Sequence, residues 1–493
     1  MLLMQSVEHD PDAEAIVQWK DSVRRGFSYQ KLWNSVCKAA ALLQGLGVAA
    51  GHRVALVMVN SPEYVASYYA VLACGAVVVP LNTESKAKDL ENWIGHCEAH
   101  VVWIDANHPE RFQLTEALHQ KAAVVPVGES YLDQGPFDPI KFDFPPKGLA
   151  SIVYTSGTTG NPKGVMLSHA NLISNALAII HYLELSPLDR TLNLLPFFYS
   201  YGNSVLHTHL IAGACLVLGG SLMYPQQVLQ TLVTESVTGF PGVPWMFPTL
   251  MNRTCFDGTQ LPAIRYFTQA GAAMAPTEIG KVTAAFPNAK FFVMYGQTEA
   301  TARLTYLPPQ ELQFHGGSVG IAVDGVKVEV REPSGRIAQS GEIGQVFASG
   351  PNIMQGYWKD TEATAAVIHS DERGRWLATG DLGYQDKDGY LYLVGRNSEM
   401  IKTSGHRVCP QEVEEALSEL EGVEEVAALG IPDAILGEAI KVVVVRSEES
   451  KLSERDVLAY CRQSLSSYKI PKFVEFVLMI PKTASGKILR RQL

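Results

Sequence analysis

Thr155-Ser156-Gly157-Thr158-Thr159-Gly160-Asn161-Pro162-Lys163-Gly164 decides how the rest of the chain is read. Its hydroxyls and glycines let side-chain oxygens and backbone N–H groups approach an oxyanion closely, and Lys163 adds a cation, so the segment suits a polyphosphate. The spacing is not that of a Walker motif, because no glycine is followed five residues later by Gly-Lys-Ser or Gly-Lys-Thr, which disfavours a mononucleotide kinase or GTPase. Far downstream stands a second lysine among small residues, Lys487 in Pro481-Lys482-Thr483-Ala484-Ser485-Gly486-Lys487. Closing the chain would bring its charge to the same ligand, which predicts ATP chemistry in a divided site.

Outward from the glycine-rich segment, apolar runs alternate with helix-like stretches. The runs at Val54 to Val59, Val77, Val101 to Ile104 and Ala123 to Val127 read as strands, separated by helices such as Pro62 to Leu72 and Ala87 to Cys97. This rhythm predicts an α/β fold with layered parallel sheets. Prolines 136, 139, 145 and 146 mark a connecting loop, after which a smaller unit is expected to begin at Ser151. Residues Leu167 to Ile180 read as a helix. Val326 to Val330 and Gly344 to Ser349 read as strands of a β-rich subdomain, and the last hundred or so residues as a small α+β unit.

Composition narrows the class. The 493 residues, 47% hydrophobic, hold material for roughly two to four cores and so predict a multidomain enzyme. The net charge of −10, with no basic block, disfavours nucleic acid as a partner. Seven cysteines without a Cys-x-x-Cys pair signal neither a disulfide framework nor zinc, and a reducing cytoplasm fits best. Met1 to Trp19 lacks the pattern of a targeting segment, and the uncharged run Tyr64 to Leu81, interrupted by Gly75 and Pro80, reads as a buried helix and strand rather than a membrane span.

Five motifs stand in order: Thr155 to Gly164, Tyr295-Gly296-Gln297-Thr298-Glu299, Thr379-Gly380-Asp381, Gly395-Arg396 and the Lys487 segment. In this the chain resembles the AMP-forming acyl-CoA synthetases, the adenylate-forming superfamily that includes firefly luciferase and peptide-synthetase adenylation domains, over nearly its whole length. The resemblance implies a large N-terminal domain, residues 1–398, and a small mobile C-terminal domain, residues 399–493. It also implies an ATP site made by Thr155, Ser156, Gly157, Thr158, Thr159 and Lys163, with Gly271, Ala272 and Ala273 against adenine. Tyr295 would lie near adenine beside Gly296 and Gln297, Thr298 would contact phosphate, and Glu299 would hold Mg2+, a role that suits a hard oxygen ligand. Asp381 and Arg396 would take the ribose diol.

The same resemblance implies two half-reactions. Lys487 serves acyl-adenylate formation, and after rotation of the small domain the Lys402 to Arg407 face serves thioester formation, Gly405 letting the thiol arm pass and His406 contacting the acceptor. No protein nucleophile is required, so Cys409 reads as structural. Ser398 departs from the Asp or Lys usual at the pivot. The acid pocket is expected from Tyr199, Tyr201, Gly202, Val243 and Met274; Tyr199 stands where many relatives have His, and no Asp is evident to hold an ammonium, so a neutral aryl or short acyl acid is preferred over an α-amino acid. His207 and His209 have no third ligand at metal-binding spacing and read as satisfied polar residues. The expected acceptor is CoA; the alternatives are an acyl carrier protein, loaded on its phosphopantetheine, and a noncatalytic nucleotide-binding relative.

Overall fold

The computed structural model describes residues 2–119, 121–128, 148–155, 163–396, 399–403, 406–433, 436–447, 450–482 and 488–493. Among them, four sheets organise the chain. The first has the order Gly356–Tyr357, Lys163–Ser168, Leu149–Thr155, Val77–Pro80, Arg53–Val57, Ala99–Asp105, Ala123–Val127. Its strands from Leu149–Thr155 to Ala123–Val127 run parallel. Such strands are covered on both faces, which is why they read as continuous apolar runs rather than alternating ones.

The second sheet is longer. Six parallel strands, Glu14–Lys20, Cys215–Leu218, Arg190–Asn193, Gly239–Gly242, Tyr266–Gln269 and Lys290–Tyr295, form its centre, with antiparallel strands at both ends. The third sheet is the β-rich subdomain, where Gly374–Gln385 pairs with Gly344–Ser349, Ile368–Asp371 and Leu391–Arg396. The fourth belongs to the C-terminal unit: Val423–Asp433, Gly437–Arg446 and Phe473–Val477 pack under the helices Pro410–Ser418 and Glu454–Ser464 around Val413, Leu417, Val442, Val444 and Val457. The large α/β part with its β-rich piece and the small α+β part thus match the fold read from the sequence.

Two expectations change. Ser151 does not begin a new unit, because its strand lies inside the first sheet: Ser151 pairs with Val78 and its hydroxyl donates to the Val78 carbonyl at 3.0 Å. The helix expected from Leu167 starts at His169, where a capping box between Ser168 and Asn171 begins it, because Lys163–Ser168 is still pairing with Leu149–Thr155. The uncharged run at Tyr64 resolves as anticipated. Ser61 caps the helix Pro62–Ala73, whose residues are all buried, and Gly75, at φ 67°, turns the chain into the strand Val77–Pro80. No helix among the described residues is long and apolar enough to cross a membrane.

His207 and His209 lie within the helix Ser200–Ile211. The Tyr69 hydroxyl meets His207 Nδ1 at 2.9 Å, and His209 Nε2 meets Thr191 Oγ1 at 2.7 Å and the Tyr266 hydroxyl at 2.8 Å. Burial pushes both imidazoles down to about 4. Between about 4 and the unfolded value near 6.5 the unfolded chain therefore binds more protons than the folded one, so stability rises with pH through that window. Denaturant titrations are expected to lose on the order of 3 kcal/mol per histidine as pH falls from 6.5 to 4, with the slope reduced in His207→Phe. An unchanged slope in that variant contradicts the assignment.

Candidate active site

The site is assembled where the strand Lys290–Tyr295 ends. Gly296 is required there by close approach: a Cβ on it would lie 1.9 Å from the Ala302 carbonyl oxygen, because the chain folds straight back through the short helix Thr298–Ala300 and Thr301, at φ 68°. Gly296→Ala is accordingly expected to lower kcat/KM for adenylation by at least about tenfold, measured as acid-dependent pyrophosphate release. Wild-type kinetics in that variant contradict the packing argument.

This turn meets the β-rich subdomain. The Tyr295 hydroxyl donates to Asp381 Oδ2 at 2.5 Å, and Arg396 Nε lies 3.0 Å from Asp381 Oδ1. Asp381 and Arg396 are cross-strand partners, which is why two residues from separate motifs act on one spot. Asp381 is only 5% exposed, and its own backbone N–H donates to Thr379 Oγ1 at 3.1 Å. Tyr295 is 8% exposed, and burial, reinforced by the Asp381 charge, holds its phenol well above the usual range and therefore protonated. The result is a fixed carboxylate with a donor on each oxygen.

A second group forms around Glu299. Glu299 Oε1 accepts from the Tyr357 hydroxyl at 2.9 Å, and the Lys163 ammonium sits 4.9 Å from the centre of the Tyr357 ring. Tyr357 therefore joins the end of the glycine-rich segment to the expected metal carboxylate. It lies outside the motifs read from sequence; it stands on the short strand Gly356–Tyr357, which pairs with Val165 and Met166, and the Met354 N–H just before that strand donates to the Glu299 carbonyl at 2.8 Å. Thr298 Oγ1 donates to Ser200 Oγ at 3.3 Å, tying the phosphate-side turn to the first residue of the helix Ser200–Ile211.

The residues expected around the acid diverge. The Tyr201 hydroxyl donates to the Thr268 carbonyl at 2.9 Å, beside the strand end that leads to Gly271. Gly202 has no room for a side chain, since a Cβ would be 2.2 Å from the Pro196 carbonyl oxygen. Val243 and Met274 are buried in one cluster with Tyr201 against its edge. Tyr199 stands at the N-terminal cap of the same helix. Phe197 is instead a core residue, fully buried with its ring centre 5.4 Å from that of Tyr64. Ala272 and Ala273 are exposed, and Gln269 Nε2 donates to the Ala272 carbonyl at 2.7 Å, which holds the Gly271 to Ala273 bend beside Met274.

Thr155 and Lys163 are cross-strand partners at the end of the hairpin from which residues 156–162 lead; Ser156, Gly157, Thr158 and Thr159 lie outside the described residues. So do Lys487, Gly405 and Ser398, while the backbone of His406 is described in the strand His406–Val408 and its side chain is not. Lys402, on Ile401–Thr403, is exposed and is not brought to Asp381, Glu299 or Thr298. Cys409 is buried, its thiol directed at the Val394 carbonyl, in keeping with a structural role.

A buried carboxylate with a donor on each oxygen, a second carboxylate held by Tyr357 and a buried apolar cluster beside Tyr201 thus gather around the end of the strand Lys290–Tyr295. The sequence matches the AMP-binding enzyme profile over residues 3–358 and the AMP-binding enzyme C-terminal domain over residues 412–487. The chain belongs to the AMP-binding enzyme family. This AMP-binding enzyme is 34% identical over 478 residues to feruloyl-CoA synthase of Amycolatopsis sp, covering 95% of this chain and 94% of that one. It is 32% identical over 490 residues to indoleacetate–CoA ligase of Aromatoleum aromaticum, covering 94% and 92%. Among solved structures, ATP-bound MatB from Rhodopseudomonas palustris superposes with a TM-score of 0.89 at 29% identity, covering 100% of this chain and 97% of that one. The o-succinylbenzoate CoA synthetase from Bacillus subtilis, in complex with its acyl-adenylate intermediate, gives 0.88 at 26% identity, covering 100% and 97%. The AMP-binding enzyme described here is an AMP-forming acid–CoA ligase, and the Bacillus subtilis synthetase is also known in complex with ATP and a magnesium ion.

Proposed function

We propose that the chain activates an aryl or short acyl carboxylic acid, with each half-reaction served by its own set of residues. What supports this is the linked arrangement of Tyr295, Asp381 and Arg396 beside Glu299 and Tyr357, with Tyr201 anchored to the next strand end. In the first half-reaction a substrate carboxylate oxygen attacks the α-phosphorus of ATP, the bond to pyrophosphate breaks, and acyl-adenylate forms. Asp381 and Arg396 hold the ribose, Thr298 orients the phosphates, and Lys163 and Lys487 offset their charge. Glu299 would suit a hard divalent cation as an oxygen ligand, and the Tyr357 hydroxyl on its Oε1 orients the carboxylate. Magnesium bound there would neutralise charge on the departing pyrophosphate.

In the second half-reaction a thiol sulfur attacks the acyl carbonyl, its proton passes to solvent, and AMP leaves. Lys402, Gly405 and His406 form the face that meets the thiol. The proposed division at residue 399 is supported by the change of sheet between Arg396 and Ile401: Leu391–Arg396 pairs within the third sheet and Ile401–Thr403 within the fourth. CoA and a carrier protein both present a phosphopantetheine thiol, so the same face would accept either. The test is acid-dependent pyrophosphate release over a panel of aryl, short acyl and α-amino acids, followed by addition of CoA or a loaded carrier. Release with aryl or short acyl acids and AMP formation with CoA is the expected result; release only with amino acids, or none with any acid, overturns the proposal.

A further inference from the structure

Arg303 follows the site turn by only a few residues and is 2% exposed, yet no carboxylate pairs with it among the described residues, and its Nε has no hydrogen-bond partner. A guanidinium removed from water without a counter-charge is unfavourable, so its retention calls for an account. Its backbone is fixed from several sides. The Arg303 carbonyl accepts from Asn175 Nδ2 at 3.0 Å and from Asn352 Nδ2 at 2.9 Å, and the preceding turn is held by Thr301 Oγ1 donating to the Asn352 carbonyl at 2.6 Å. The strained Thr301 backbone and the close approach at Gly296 thus deliver this side chain inward.

Where it points is specific. The guanidinium carbon lies 5.0 Å from the centre of the Tyr201 ring, and Arg303 lines a small cavity bounded also by Tyr201, Thr268 and Met294, with room for about one water-sized oxygen. The other polar groups of that cavity are already paired. Thr191, His209 and Tyr266 bond one another, the Ser204 hydroxyl donates to the Tyr201 carbonyl at 2.7 Å, and the Tyr201 hydroxyl is taken by Thr268. Among the described residues lining this cavity, Arg303 is the one that brings an unpartnered donor, its Nε, and a charge with no carboxylate opposite it, its remaining polar neighbour being the neutral Tyr182 phenol; the cavity adjoins the expected acid pocket through Tyr201.

We infer that Arg303 is a specificity-determining residue that receives one oxygen of a second, distal carboxylate on the acid substrate, through the side of the pocket formed by Tyr201. A neutral hydroxyl would satisfy the donor but leave the charge unmatched, whereas a carboxylate does both through a charge-assisted bond. The inference rests on the acid–CoA ligase reading and alters its substrate preference: the acid stays aryl or short acyl but carries a distal anion instead of being neutral.

The experiment compares acids matched in length and differing only at the far end: hexanoate, 6-hydroxyhexanoate and adipate, and 4-methylbenzoate, 4-hydroxybenzoate and terephthalate. Pyrophosphate release by the wild-type enzyme is expected to favour the diacid of at least one series by about tenfold or more in kcat/KM over both partners. In Arg303→Met that ratio collapses towards one, and in Arg303→Lys part of it survives. A wild-type enzyme that prefers the methyl or hydroxyl acid in both series overturns the assignment while leaving adenylation intact, and needs no variant to fold. An undiminished diacid preference in Arg303→Met overturns it equally. Release with none of the six acids, nor with any of the wider panel, overturns the adenylation reading along with it.

Discussion

Asp381→Ala is expected to lower kcat/KM for ATP by about 10²–10³-fold, with the larger part in KM for ATP and little in KM for the acid. The carboxylate is nearly buried and held by Arg396 on one oxygen and Tyr295 on the other, so a ribose diol meets an acceptor that needs no reorganisation. Removal takes away that acceptor and strands two donors at once. Leaving buried donors unmatched costs about 1–3 kcal/mol in stability, so the melting temperature should fall together with activity. Asp381→Asn keeps one acceptor oxygen and is expected to fall between the two. Steady-state kinetics with varied ATP check this; a variant whose KM for ATP stays at the wild-type value removes Asp381 from the ribose site.

Lys487→Ala separates the half-reactions. Adenylation, followed as pyrophosphate release, is expected to drop by about 10²–10³-fold, the usual consequence of losing one charge that stabilises a developing oxyanion. Thioester formation from a supplied acyl-adenylate should proceed within a few-fold of wild type, because the Lys402 to Arg407 segment proposed for that step is unchanged. The reciprocal variant, Lys402→Ala, should spare pyrophosphate release and slow the thiol step. Equal losses of both steps in Lys487→Ala contradict the division of labour.

Much of the scaffold was legible because parallel strands covered on both faces leave continuous apolar runs, as at Arg53–Val57 and Val77–Pro80. That Asp381 and Arg396 belong together was implied by the family resemblance, and the cross-strand register accounts for it. Tyr357 was missed because its strand is two residues long and carries no periodicity. Arg303 was missed for a different reason: on paper it is one more polar residue after a motif, and only tertiary packing makes it a buried cation with no carboxylate beside it among the described residues. Ser151 was misjudged because a proline-rich stretch punctuates a chain equally well between domains and inside one sheet.

The order of strands has a consequence for biosynthesis. The chain enters the second sheet at Glu14–Lys20, leaves it for the first from Arg53 to Ser168, returns to the second from Arg190 to Ala322, and comes back to the first only at Gly356–Tyr357. Neither sheet is therefore contiguous along the nascent chain. While the ribosome is still short of Cys215, the Glu14–Lys20 strand lacks its parallel partner, and Val165 and Met166 wait for Gly356 and Tyr357 to emerge. Release of a shortened product before that point leaves open strand edges on both layers, the kind of species on which chaperones act. A fragment cut between Ser168 and Arg190 is therefore expected to leave Glu14–Lys20 without its parallel partner and Lys163–Ser168 with an open edge, and so to fold less stably than the whole chain.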